Sequence, residues 1–183
     1  MAATLINLNQ AALSCLVNGG YTKIWIAEKK FITAITVTGD IISNFTMTTT
    51  GKWFSWEPDG DNTANFSETA NRTGKNRNYT QVGFAKFAGL DPTMITNTRN
   101  AVQTCDVVAV YVLPNGTRIV QGIEIDAAAT GGFTGSKIEQ TFLIASKFTD
   151  TAQNDNRTEY TIQGIAALPA TTTDLTDAEF TAL

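Results

Sequence analysis

Val107-Val108-Ala109-Val110-Tyr111-Val112-Leu113 is an unbroken apolar run of strand length. Successive side chains of a strand point to opposite faces, so a run without alternation is covered on both sides. The chain must therefore build material on each face of a central strand. Pro114-Asn115-Gly116 follows as a hairpin turn. Thr117 to Ile125 then alternates, with Ile119, Ile123 and Ile125 inward and Arg118 and Glu124 outward.

The same punctuation recurs along the chain. Tyr21 to Ala27 is a β-branched and aromatic run, broken by Glu28-Lys29-Lys30. Phe31 to Thr38 alternates, Gly39-Asp40 is a turn, and Ile41 to Thr50 reads as a further strand. Tyr79 to Ala88 resumes β character, Lys137 to Thr149 alternates, and Glu159 to Ala166 reads as the last strand. Residues 51–78 mix large aromatics with two polar turn clusters and read as strand tips or a long loop. Two helices are expected. Asp91-Pro92 is a helix start, with Met94, Ile95, Thr98, Ala101, Val102 and Cys105 at helical spacing behind it. Leu5, Leu8, Ala12, Cys15 and Leu16 form an N-terminal helical stripe closed by Gly19-Gly20. The expectation is a mainly β fold, a sandwich or barrel of about eight strands with one flanking helix and an N-terminal helix. Residues 1–167 form one domain, and the Thr-, Ala- and acid-rich stretch 168–183 reads as an exposed tail.

Composition limits the chemistry. Thirty threonines and fourteen asparagines supply polar surface in a chain with only 16% charged residues. Histidine is absent, which excludes histidine triads and histidine metal sites. Cys15 and Cys105 are too few for a cysteine zinc site and fall on the apolar faces of the two expected helices, as buried thiols do. No apolar stretch is long enough for a membrane-spanning helix, and the start Met1-Ala2-Ala3-Thr4 lacks the positive region of a secretory signal. A net charge of −4 argues against a free-standing nucleic-acid binder.

Candidate motifs for chemistry fail on spacing. In Gly131-Gly132-Phe133-Thr134-Gly135-Ser136-Lys137, Ser136 separates the glycine from the lysine, so no phosphate loop forms. Asp59-Gly60-Asp61-Asn62 opens like a calcium loop but meets Ala64 and Ala70 where Gly and Glu are required. Glu57, Asp59, Asp61 and Glu68 could supply a carboxylate pair, but nothing sets its separation. Neither an enzyme, a cofactor nor a metal is expected.

Two features point to a surface. Trp53, Phe54 and Trp56 place a large aromatic on each face of one strand, which suits either a core face with a rim or a partner surface. Arg72, Lys75 and Arg77 form the only local basic cluster, either a solvated hairpin tip or a patch for an acidic neighbouring subunit; residues 151–183, at −4, are a candidate partner. These six residues are the expected subunit interface. A carbohydrate-binding sandwich with Trp53 and Trp56 as stacking platforms is the alternative.

The order of elements resembles the structural tail proteins of tailed bacteriophages, especially tail-tube-like proteins of phages infecting Bacteroidetes. The resemblance rests on Gly19-Gly20-Tyr21-Thr22-Lys23-Ile24-Trp25-Ile26-Ala27, Ile32-Thr33-Ala34-Ile35, Lys52-Trp53-Phe54-Ser55-Trp56-Glu57-Pro58, Phe66-Ser67-Glu68-Thr69 and Val107-Val108-Ala109-Val110-Tyr111. The Asn115-Gly116 hairpin with Gly122 after it, and a late Gly-rich loop before a long strand, complete it. It spans roughly residues 19–167 as a pattern of elements and short words. It implies a virion protein made in the host cytoplasm. Its partners would be itself, in a ring, commonly hexameric, and other tail proteins. Sheets would join into an inner barrel for transient genome passage, and residues 51–78 would bridge to a neighbour. Tail-terminator, connector, baseplate and capsid-decoration roles stay open. The acid-rich C-terminal stretch has no counterpart in that pattern.

Overall fold

The computed structural model describes residues 8–9, 20–58, 64–73, 76–88, 92–103, 106–125, 132–135, 137–145 and 157–183. Fourteen strands and two α-helices lie within them. In chain order these are β1 (Leu8–Asn9), β2 (Lys23–Glu28), β3 (Ile32–Thr38), β4 (Ile41–Met47), β5 (Phe54–Glu57), β6 (Ala64–Thr73), β7 (Asn76–Ala88), α1 (Pro92–Gln103), β8 (Val107–Val112), β9 (Arg118–Gln121), β10 (Ile123–Ile125), β11 (Phe133–Gly135), β12 (Lys137–Ala145), β13 (Arg157–Ala166), β14 (Thr171–Thr173) and α2 (Asp177–Ala182). A single 3-10 turn, Lys29–Phe31, forms the break after β2.

Eight strands make one sheet in the order β1-β5-β2-β8-β9-β14-β4-β3, and four make another in the order β12-β13-β7-β6. β10 and β11 form a separate ribbon. The large sheet ends at β1 and β3 and does not close, so the fold is a sandwich and not a barrel.

Alternation along β2 and β8 sets the layering. Ile24, Ile26, Val107, Ala109 and Tyr111 face one core, while Trp25, Ala27, Val108, Val110 and Val112 face another. All six residues of β8 are buried, as its apolar run requires. The first core lies between the two large sheets. Trp56 packs edge-on against Tyr160 at 4.9 Å and Phe87 at 6.1 Å between ring centres, and Ala101 of α1 joins them. The second core is enclosed by the curl of the eight-stranded sheet itself, with Ile35, Ile42 and Phe45 brought over from β3 and β4.

Two glycines are required by close approach. A Cβ on Gly83 of β7 would sit 1.9 Å from the Tyr111 hydroxyl, so β7 can cross Tyr111 only where the side chain is missing. Gly122 has φ 103°, and a Cβ there would lie 2.5 Å from the Val107 carbonyl oxygen. It kinks the run 117–125, expected as one strand, into β9 and β10.

Other expectations are corrected. Residues 54–57 and 64–73, read as strand tips or a loop, are full strands; β6 pairs with β7 over ten residues. Of the N-terminal helical stripe, only Leu8 is described, and it lies in a strand paired with β5. Asp91, Cys15 and Cys105 lie outside the described residues.

The stretch 168–183 is not an exposed tail. β14 inserts between β9 and β4, antiparallel to the first and parallel to the second. Leu175 is 5% exposed and Phe180 1%. The sequence carried a signal for this: Thr176-Asp177-Ala178-Glu179 is a capping box, in which the Glu179 N–H donates to Thr176 Oγ1 and the Thr176 N–H donates to the Glu179 carboxylate.

Candidate functional site

The six expected interface residues part ways. Trp53 (4% exposed) and Trp56 (0%) are interior residues. Alternation does put them on opposite faces, but each face meets a core of the chain's own: Trp56 the first, Trp53 the second. The reason is that β5 pairs with β2 inside a sheet covered on both sides. Neither indole can serve as an interface or as a carbohydrate platform. Phe54 is half-buried against the first core. Arg72 and Arg77 are exposed and stand opposite each other at the end of the β6–β7 hairpin. Lys75 lies outside the described residues.

The carboxylates are dispersed. Glu57 pairs with Lys23 at 3.1 Å. Glu68 accepts from Gln81 Nε2 at 3.0 Å and from the Ala170 N–H at 2.6 Å. Asp59 and Asp61, with their candidate calcium loop, fall outside the described residues. Among the described residues no three acidic or sulfur side chains converge on a metal position, and no helix is long and apolar enough to cross a membrane.

Sequence reasoning missed two polar clusters. In the first core, Tyr111 donates its hydroxyl hydrogen to Gln121, whose amide donates to the Gln81 carbonyl at 3.0 Å and the Ile162 carbonyl at 3.4 Å. Gln81 and Gln121 are buried, so this network ties the two sheets together where apolar contact alone would leave polar groups stranded. Burial pushes the phenols of Tyr21, Tyr111 and Tyr160 above the usual tyrosine range. All three belong to the first core.

The other cluster anchors α2. Asp177 accepts from Lys23 Nζ at 2.9 Å, Arg118 Nη2 at 3.2 Å and Trp25 Nε1 at 3.3 Å. Partial burial raises its carboxyl, but the hydrogen bonds from Lys23 and Arg118 outweigh that and hold it below the usual carboxylate range. Beside it, Phe180 stacks on Trp25 at 5.4 Å and meets Trp53 edge-on at 5.0 Å.

Two open clefts lie among the described residues. One, of about 550 Å³, is lined by Trp25, Lys52, Trp53, Phe54 and the end of α2. The other, of about 480 Å³, runs along Ile123–Ile125 and Leu168–Thr172, with Asp40 at its side.

The four-stranded sheet presents a further surface. Among the described residues, β6 and β12 each have a neighbour on one side only. β6 is ten residues long and β12 nine. On β7 and β13 the side chains facing the core are buried, while Thr80, Val82, Phe84, Lys86, Glu159, Thr161, Gln163 and Ile165 alternate with them on the other face, half-buried or exposed. Lys86 stands opposite Glu159 in register, and Arg157, paired with Ala88, falls on the same face by alternation, so these two strands bring two basic residues and one acidic residue to it.

Compared with known protein families and with curated proteins, the sequence matches none.

Proposed function

We propose that the chain is a non-enzymatic structural protein of a tailed-phage particle, assembling with copies of itself into a ring. Such rings, commonly hexameric, would stack into or cap a tube for genome passage, with other tail proteins as further partners in the virion. The observation that carries this reading is the pair of long edges on the four-stranded sheet that, among the described residues, have no further strand beside them. An edge of nine or ten residues is a template for another strand, and monomeric proteins normally shorten, charge or cover it. With β6 and β12 on opposite sides, the contact between copies is head-to-tail, which closes into a ring when the rotation closes. The sheets then join into one continuous barrel.

The exposed arginines at the β6–β7 tip, Arg72 on the edge strand and Arg77 opposite it on β7, suit a contact with an acidic neighbour.

Negative-stain microscopy and light scattering on the concentrated full chain test the reading. Rings of uniform diameter are expected. Proline placed singly at Thr69 and at Ala70 tests the edge, because consecutive residues of a strand point their N–H groups to opposite sides. One of the two variants should keep the fold and lose the rings. A chain that stays monomeric at high concentration, without rings or tubes, overturns the proposal.

A further inference from the structure

The eight-stranded sheet holds one strand that does not belong to its neighbourhood in sequence. β14 lies between β9 and β4, and β4 pairs beyond it only with β3. Among the described residues, the β3–β4 hairpin therefore reaches the rest of its sheet through a three-residue strand from the end of the chain. That strand grips the hairpin by main chain and side chain together. Thr173 Oγ1 donates to the Ile42 carbonyl at 2.6 Å, Thr171 Oγ1 to the Asp40 carbonyl at 2.9 Å, and the Asp174 N–H to the Ile42 carbonyl at 3.4 Å. Below it, the Phe180 ring lies 6.1 Å from Phe45 of β4 and 5.4 Å from Trp25 of β2, in contact with both halves of the sheet.

We infer that residues 168–183 are a strap that closes the second core, and that the strap and the β3–β4 hairpin open and close as one unit while the two-sheet sandwich stays folded. Three observations require the coupling. Among the described residues, the hairpin's only sheet neighbour outside itself is the strap. The strap's helix is fixed to the sandwich side through Asp177, on Lys23, Arg118 and Trp25. The first core contains no residue of β3, β4 or the strap. Loss of the strap removes the hairpin's ladder and one of its two main aromatic contacts, and leaves the first core untouched. Sub-global units of this kind open with less free energy than the whole molecule. The unit gives the fold a two-state element, so a contact made on the strap near Leu168, which is 49% exposed, is felt at the hairpin. This stands whether or not copies of the chain assemble.

Hydrogen exchange followed by mass spectrometry on the full chain tests it, with Phe180→Ala and Asp177→Asn as variants. Phe180→Ala should speed exchange at 171–182 and at 32–47 by one common factor, on the order of tenfold. Asp177→Asn should do the same by a smaller common factor. Residues 79–88 and 157–166 should keep their protection in both. Faster exchange at 171–182 with 32–47 unchanged overturns the coupling. Equal acceleration in 79–88 and 157–166 overturns the independence of the unit. No acceleration at 32–47 in either variant overturns the strap's role.

Discussion

The two cores on opposite faces of the eight-stranded sheet are built by different means. The first is assembled from long strands joined at close range, with β7 pairing to β6 and to β13 over ten residues each. A buried amide network stitches its two sheets together. The second has no opposing sheet. It is filled by the curl of the eight-stranded sheet, with Ile123, Ile125 and Phe133 of the β10–β11 ribbon against it, and closed by a segment more than a hundred residues away from the hairpin it holds. The difference is one of redundancy. The strands lining the first core, β6 excepted, each have a strand on both sides, whereas closure of the second rests on a short strand, one phenylalanine and one carboxylate.

The largest expected effect separates the cores by pH. Tyr21, Tyr111 and Tyr160 all lie in the first core, and burial raises each phenol. Their stabilisation is fully present below the ordinary tyrosine pKa of 10.0. It is lost above that value, where the unfolded chain ionises first. Three such groups give about 4 kcal/mol per pH unit. A steep alkaline unfolding transition in circular dichroism, accompanied by phenolate absorbance, is expected; phenolate absorbance from more than one of the four tyrosines while the protein is still folded would break the comparison, since only Tyr79 lies outside the first core.

Trp56→Ala should follow, lowering the global unfolding free energy by about 3–5 kcal/mol in chemical denaturation, because the indole is fully buried between two sheets. Gln121→Leu should cost about 1–3 kcal/mol, since it strands the Tyr111 hydroxyl and the Gln81 and Ile162 carbonyls. Gln121→Glu, which keeps the acceptor for Tyr111 and loses the amide donor, sharpens the assignment by distinguishing the two halves of the network.

The smallest effect belongs to the second core. The Asp177 carboxyl is lowered in the folded state, so its contribution is present above the ordinary carboxylate value of 3.8 and disappears as pH falls through the lower folded value. The Lys23 and Arg118 cations face it, Glu57 shares Lys23, and Glu179 sits in the same helix turn. The side chain is 41% exposed, so solvent screening keeps the effect under about 1 kcal/mol. Tryptophan fluorescence should change near Trp25 and Trp53 below pH 4, before the far-ultraviolet signal does, and Asp177→Asn should abolish that early change.

Much of the fold was legible in residue order. The apolar run 107–113 required cover on both faces, and β8 is buried throughout. The turn at Gly39-Asp40, the hairpin at Asn115-Gly116 and the helix after Pro92 stand where local chemistry puts them. The aromatic trio was legible as a two-faced strand, yet its destination was not. Periodicity reports that both faces of β5 want cover, and it is silent on whether a neighbour or the chain itself supplies it.

What the sequence alone determined, then, is the central strands and their turns, the inward faces of those strands and the need for two layers of cover, because side-chain alternation and turn propensity act over a few residues. Tertiary structure decided the rest: that Trp53 and Trp56 serve different cores, that Gly83 must yield to Tyr111, and that residues 168–183 enter the sheet. Those outcomes depend on which surfaces meet across tens to hundreds of residues. Only the packed chain sets that geometry, through the joint requirement to bury apolar area and pair every buried hydrogen-bonding group.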